Sequence, residues 1–289
     1  MTTGVLLMTY GAPRDDADLP AYLARVRGGT VPNDELVAEM RRRYARIGGS
    51  PLVRITEAQA AALERELGPA FRVRAGMRYS APSIADRVAD LGDVDRVVGI
   101  VMSPQWSPLL MRGYADALAA ATNAPVALAG AWHREPAFLD ALGAAVREAR
   151  VRIPEAAVLL TAHSLPRRVF DAEPAYVAQL HETGELVAEA AGLASGDWRW
   201  AYQSAGHTQE EWLRPDLKEL FPALAAAGHR DVLVAPVQFL SDHLEVLYDL
   251  DVAAAAEAEA AGLRYHRVGM LNCDARFIRA LAGIARALA

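Results

Sequence analysis

Ala157-Val158-Leu159-Leu160-Thr161-Ala162 is an almost wholly apolar, β-prone run that gives way at once to His163-Ser164-Leu165-Pro166. An apolar run this short, without polar alternation, reads as a strand buried on both faces of a parallel sheet, and the tetrapeptide ending in proline reads as the loop at its carboxyl end. The pattern recurs on both sides. Upstream, strands are expected at 5–9, 71–77, 97–102 and 125–130; downstream, at 198–202, 232–236 and 264–268. Longer amphipathic stretches separate them, which is the signature of strands joined by crossover helices. Helices are expected over 33–46, with Asn33 as N-cap and Gly48-Gly49 as the stop, and over 51–67, 135–152 and 253–261.

Four strands on either side of the 135–152 helix imply a duplicated α/β architecture, with one domain over 1–150 and a second over 151–289. The C-terminal helix is free to pack back on the first. Ligands of open α/β sheets sit beyond the carboxyl ends of the strands, so the expected site is a cleft between the two domains.

The 289 residues are 53% hydrophobic and 23% charged, an ordinary composition for a folded chain with a proper core. A net charge of −6 argues against a nucleic-acid binder that works by phosphate neutralisation. The single cysteine, Cys273, forms no internal disulfide or thiolate cluster, and the N-terminus carries no basic leader. The stretch 117–132, interrupted by Thr122, Asn123 and Pro125, falls short of the roughly 20 apolar residues a membrane span needs. A monomeric cytoplasmic protein without an integral membrane span is expected.

Several familiar chemistries are excluded by their own motifs. The only lysine, Lys218, lies between Leu217 and Glu219, so there is no phosphate-binding Gly-Lys-Ser/Thr loop. His181-Glu182-Thr183-Gly184-Glu185 lacks the second histidine of a zinc protease, and no Gly-x-Ser-x-Gly elbow exists. Gly48-Gly49 is no dinucleotide fingerprint. What remains lies just past the strand ends. His163, emerging from a rigid strand, is placed to act as a base or metal ligand, or simply caps its own loop. Glu245 opens a helical pattern with Asp249 four residues on, so both carboxylates share one face, able to hold a cation, pass protons or stay solvated. His243, two residues from Glu245, is expected to point elsewhere.

The strings that surround these residues occur in a telling order: Leu6-Leu7-Met8-Thr9-Tyr10-Gly11-Ala12-Pro13, Arg43-Tyr44-Ala45-Arg46-Ile47-Gly48-Gly49-Ser50-Pro51-Leu52, Met77-Arg78-Tyr79, Pro104-Gln105-Trp106-Ser107, Ala162-His163-Ser164-Leu165-Pro166, Tyr202-Gln203-Ser204, and Ser241-Asp242-His243-Leu244-Glu245-Val246-Leu247-Tyr248-Asp249. Together they resemble the ferrochelatase family across nearly the whole chain. The resemblance implies two Rossmann-like domains, each a four-stranded parallel sheet flanked by helices, and insertion of Fe²⁺ into a porphyrin held between them. It implies no cofactor beyond the Fe²⁺ substrate, and the cysteine set of an iron–sulfur cluster is absent.

By the same resemblance His163 and Glu245 are the facing pair at the metal, and Asp249 continues an acidic path from it. Which of the pair takes a proton and which relays the metal is not assigned by sequence. The chain looks most similar to the bacterial branch that metallates coproporphyrin III. In that branch Tyr10 approaches the product iron from the face opposite the histidine, and Arg27, Arg43, Tyr44, Ser50 and Tyr114 contact the porphyrin, with Arg46 one turn from Arg43 as an accessory. Residues 15–27 read as a charged helix, not the apolar lip of membrane-associated members. The chain departs from the family strings in a Gly48-Gly49-Ser50 loop one residue shorter, in Gln105 where some members have histidine, and in Ala253 where an acidic ladder continues in others. A protoporphyrin chelatase, another tetrapyrrole chelatase and a non-catalytic haem carrier are the competing readings.

Overall fold

The computed structural model describes residues 2–206 and 210–289. The first sheet contains β1 (Thr3–Thr9), β2 (Phe71–Met77), β3 (Arg96–Val101) and β4 (Val126–Leu128), all parallel in the order β2-β1-β3-β4. The second contains β5 (Ala157–His163), β6 (Trp198–Gln203), β7 (Asp231–Pro236) and β8 (Arg264–Arg267), parallel in the matching order β6-β5-β7-β8. The strand expected over 125–130 is confined to the three residues of β4, because an edge strand has one neighbour and Val126 is exposed.

In the first half the connections are α1 (Leu19–Val26), α2 (Asp34–Ile47), α3 (Leu52–Leu67), α4 (Ile84–Ala89) and α5 (Pro108–Ala121), followed by α6 (Pro136–Arg152), which leads into β5. The second half adds α7 (Arg167–Ala172), α8 (Pro174–Ala191), α9 (Leu217–Ala226), a π-helix (Glu245–Ala254) running into α10 (Ala255–Ala260), and α11 (Ala275–Leu288). The helix expected from 15 begins only at Leu19, with Pro20 in its first turn. Asp15 and Asp18 instead accept hydrogen bonds from nearby main-chain N–H groups in the turn before it, the local competition by which aspartate resists helix interiors. Asn33 caps α2 as expected, accepting from the Leu36 N–H at 2.9 Å, and Gly48 (φ 73°) ends it in the left-handed region.

One core runs through both halves. Strands β1 and β5 contribute Val5, Leu7, Val158 and Leu160 to it, and α11 adds Phe277, Ile278, Leu281 and Ile284 against α3 and α6. A fully buried leucine such as Leu281 contributes about 1.5–3 kcal/mol by leaving water. Helices α6 and α8 approach closely because residue 143 is glycine: a Cβ there would meet the Ala190 Cβ at 2.6 Å. This packing brings the carboxyl ends of β1 and β5 toward a common cleft.

Candidate active site

The geometry at the cleft begins with β5. His163 is its last residue, and its main-chain N–H donates to Gln238 Oε1 at 2.8 Å. Its Nδ1 is hydrogen-bonded to the Ser164 carbonyl, which can only accept, so Nδ1 carries the proton of the neutral ring and Nε2 presents its lone pair. That lone pair faces Glu245 Oε2 at 3.8 Å.

Glu245 opens the π-helix. Both side chains open on the cleft, with His163 25% and Glu245 41% exposed. Burial alone would raise the Glu245 carboxyl, but the positive charge that His163 carries when protonated, with the hydrogen bond and charge of His243, outweighs it and holds it down to about 2. The expectation that His243 points elsewhere is corrected: its Nε2 lies 3.6 Å from the same Oε2, and its Nδ1 donates to the Ser241 carbonyl at 2.9 Å. His243 sits in irregular chain between the bend at Ser241 and the helix, so helical spacing does not govern its direction. Burial opposes charge on His243, yet the Glu245 carboxylate shifts it upward.

Asp249 lies one turn along the π-helix, close enough to Glu245 for mutual repulsion. Burial, and then that repulsion, raises its carboxyl above the ordinary range, partly offset by Ser204 and Arg43. Among the described residues no three His, Cys, Asp or Glu side chains close on one point as a ready-made metal site does. A lone pair and a carboxylate facing each other with room between them can instead accept protons or hold a divalent cation loosely.

The opposite wall is aromatic. Gly11 adopts φ 94°, and a Cβ there would fall 2.3 Å from Ser80 Oγ, so the turn after β1 needs glycine to set Tyr10 at the cleft. Tyr10 is 44% exposed and meets Tyr79 edge-on, with ring centroids 4.6 Å apart. Its phenol is pushed up to about 12, by burial first, then by Tyr79 and by Glu245. The guanidinium of Arg78 lies over the rings of both Tyr79 and Tyr114, at 4.8 and 5.0 Å. Tyr114 is buried, with Tyr10 near enough to raise its phenol further, after burial itself.

Tyr44 packs against the cluster of Leu19, Tyr22 and Leu23, and burial raises its phenol too. Tyr22 was not singled out by sequence, although Leu19, Tyr22 and Leu23 share a helical spacing; its hydroxyl donates to the Gly11 carbonyl at 3.1 Å and supports the turn under Tyr10.

Arg43 spans the cleft from α2. It pairs with Glu39 at 2.8 Å, reaches Asp249 at 3.5 Å and lies over the Tyr248 ring at 5.0 Å. Arg27, at the end of α1, and Arg46, in the last turn of α2, are exposed. Ser50 accepts from the Leu52 N–H at 3.4 Å as α3 begins. The structure therefore brings His163, Glu245, Asp249, Arg43 and Tyr10 around one cleft, with Tyr44 and Tyr114 in its aromatic wall.

Two four-stranded parallel sheets thus meet at a cleft that carries this imidazole and carboxylate, a pair able to accept protons and to hold a divalent cation. The match to solved structures agrees at the level of fold: the chain aligns over its whole length with all of CbiX, described as the terminal enzyme for biosynthesis of siroheme in denitrifying bacteria, at a TM-score of 0.61 and 14% identity. The family model "Ferrochelatase" matches residues 2–288. The chain is 37% identical to a ferrochelatase of Deinococcus radiodurans, covering 97% of this chain and 94% of that one. It is also 37% identical to a coproporphyrin III ferrochelatase of Geobacillus kaustophilus, covering 98% and 95%. The chain belongs to the ferrochelatase family, a group of metal-chelating lyases of haem biosynthesis. Among the described residues no helix is long and apolar enough to cross a membrane.

Proposed function

We propose that this protein inserts Fe²⁺ into coproporphyrin III to give coprohaem. The observation that carries the reading is the His163 Nε2 lone pair facing Glu245 Oε2 at 3.8 Å, with Tyr10 on the opposing wall. Two pyrrole N–H bonds break as the iron binds the four ring nitrogens, so two protons must leave the porphyrin while the metal enters. His163 and Glu245 divide that work, one accepting a proton and one passing the ion, and the second proton leaves to solvent, to which both side chains are open. A loosely held ion suits the task, because a site with many strong ligands would keep it. Asp249 extends the acidic path, and the Tyr10 phenol meets the product iron from the other face.

Selectivity for the tetracarboxylate is supported by the donors around the cleft. Arg43 supplies charge at the cleft and Tyr44 and Tyr114 stand in its wall, while the exposed Arg27 and Arg46 and the Ser50 hydroxyl at the start of α3 are proposed to reach the propionates, which favour such donors. The Arg43 guanidinium already holds two carboxylates, and a propionate would share it in the same way. The reading includes no cofactor besides the Fe²⁺ substrate, no iron–sulfur cluster, and action as a cytoplasmic monomer.

The test is anaerobic Fe²⁺ insertion into coproporphyrin III and protoporphyrin IX side by side, followed by loss of free-porphyrin absorbance. Faster reaction with coproporphyrin is expected. A preference for protoporphyrin would reject the propionate argument alone, whereas binding of both without insertion of either would favour a carrier.

A further inference from the structure

Glu173, Tyr176, Gln179 and Thr183 are spaced three, three and four residues apart, so from the start of α8 they form one stripe on its surface. The stripe faces the loop that follows β3, and three of its members hold that loop by hydrogen bonds. Ser103, at the start of that loop, lies near enough to the Tyr176 hydroxyl to offset part of the rise that burial imposes on its phenol. Thr183 Oγ1 accepts from Gln105 Nε2 at 2.9 Å. Gln179 Oε1 accepts from the Trp106 N–H at 2.8 Å, and its Nε2 donates to the Trp106 carbonyl at 3.3 Å. Glu173 accepts from the Ser107 hydroxyl and, at 2.7 Å, from the Leu109 N–H at the start of α5. One helix of the second half thus fixes a whole strand-end loop of the first.

Tyr176 alone among the four carries that grip to the cleft. Its hydroxyl also accepts from Gln238 Nε2 at 2.8 Å, and Gln238 Oε1 accepts from the main-chain N–H of His163 at 2.8 Å. The Gln238 amide therefore has both ends engaged, and Tyr176 is only 3% exposed, which shields the bond from water. The His163 ring is tied to the carbonyl of its own neighbour, Ser164, so the ring follows the main chain at this point. What holds that main chain holds Nε2.

We propose that Gln238 and Tyr176 are positioning residues for metal insertion: they couple the α8 grip on the loop after β3 to the main chain of His163, and so set where Nε2 stands against Glu245. The inference rests on the role given to His163 above. Neither residue needs to touch porphyrin or iron, and their effect is on rate, since misplacing a reacting group by about 1 Å can cost on the order of 100-fold.

Tyr176→Phe and Gln238→Leu both keep side-chain bulk while removing the hydrogen bonds, and Tyr176→Phe remains informative if Gln238→Leu folds poorly. In Fe²⁺ insertion by the full chain, each single variant is expected to lose about tenfold in kcat, with the KM for porphyrin within about twofold of the parent. The double variant should lose little more than the worse single one, because the pair acts as one unit. The His163 ring ¹⁵N signals should leave the Nδ1–H pattern in step. Parent-like kcat in both single variants, with melting temperature alone reduced, would overturn the proposal. His163→Ala, measured alongside, separates the two ideas: if it keeps parent activity, the reading of His163 fails and the positioning role with it, whereas an inactive His163→Ala beside fully active Tyr176→Phe and Gln238→Leu rejects the positioning role alone.

Discussion

The two halves of the molecule share a strand order and differ in what they place at matching strand ends. In the order β2-β1-β3-β4, the second position is β1, and Tyr10 follows it; in β6-β5-β7-β8 the second position is β5, and His163 ends it. The neighbouring loop after β2 adds Arg78 and Tyr79, a cation between aromatic faces. In the second sheet the functional neighbour lies on the other flank of the central strand: the loop after β7, which matches β3 and not β2, leads to His243 and Glu245, an imidazole and a carboxylate. One scaffold used twice thus presents an aromatic, proton-retaining wall opposite an ionisable one. A planar ligand between them would meet different chemistry on its two faces, which suits a reaction in which metal and protons must use different routes.

That asymmetry can be broken from either side. The largest effect is expected on the ionisable wall: His163→Ala should lower the insertion rate by on the order of 100- to 10,000-fold, the usual weight of a placed acid–base group, while porphyrin binding, followed by fluorescence quenching, persists. An equal loss of binding would show that His163 holds the ring instead of serving the chemistry.

Arg43→Ala should act on binding. Removing one charged hydrogen-bonding partner costs about 1.5–3 kcal/mol, so the KM for coproporphyrin should rise about tenfold or more with kcat little changed. An unchanged KM would mean that the guanidinium serves Glu39 and Asp249 alone.

Tyr10→Phe should leave insertion within a few-fold of the parent yet alter the visible spectrum of the iron product, because only the ligand on the aromatic face is lost. An unaltered spectrum would remove Tyr10 from the iron.

The smallest effect separates the walls by pH. Burial pushes the phenols of Tyr10 and Tyr176 up to about 12 and raises Tyr22, Tyr44 and Tyr114 as well. A group whose folded value exceeds its unfolded value of about 10 contributes stability in full below that pH and loses it as pH rises through the folded value. The denaturant midpoint should therefore fall from pH 10 toward 12, with tyrosinate absorbance appearing late. Glu245, depressed to about 2, has the opposite sign: its contribution is present above about pH 4.5 and is lost as pH falls through 2. A midpoint flat above pH 10 would contradict the buried state of the aromatic wall.

All eight strands were legible because apolar runs bounded by turn residues have few other uses in a folded chain. The boundaries of β4 and α1 were not, since an edge strand and a turn held by aspartate side chains depend on neighbours that spacing does not reveal. The π-helix left a faint trace: its buried residues, Val246, Leu250 and Ala254, fall every four residues, without the threes that an α-helix mixes in. His243 was misread for want of the bend that precedes this helix. Arg43 was named from its string, but its partner across the cleft, Asp249, is 206 residues away in sequence.

By itself the amino-acid sequence determined the α/β class, the duplicated set of strands, the helix stop at Gly48-Gly49, the identity of His163 and Tyr10 as residues at strand ends, and that of Glu245 as the opening of a helical pattern. These follow from local rules: burial pattern, turn chemistry and the order of short motifs. Only the tertiary structure decided that His163 Nε2 faces Glu245, that His243 joins them, that Arg43 reaches Asp249 and that Gln238 holds the His163 main chain. Those facts are distances between groups far apart in the chain, and they exist only once packing of the helices on the two sheets has fixed how the strand ends face each other.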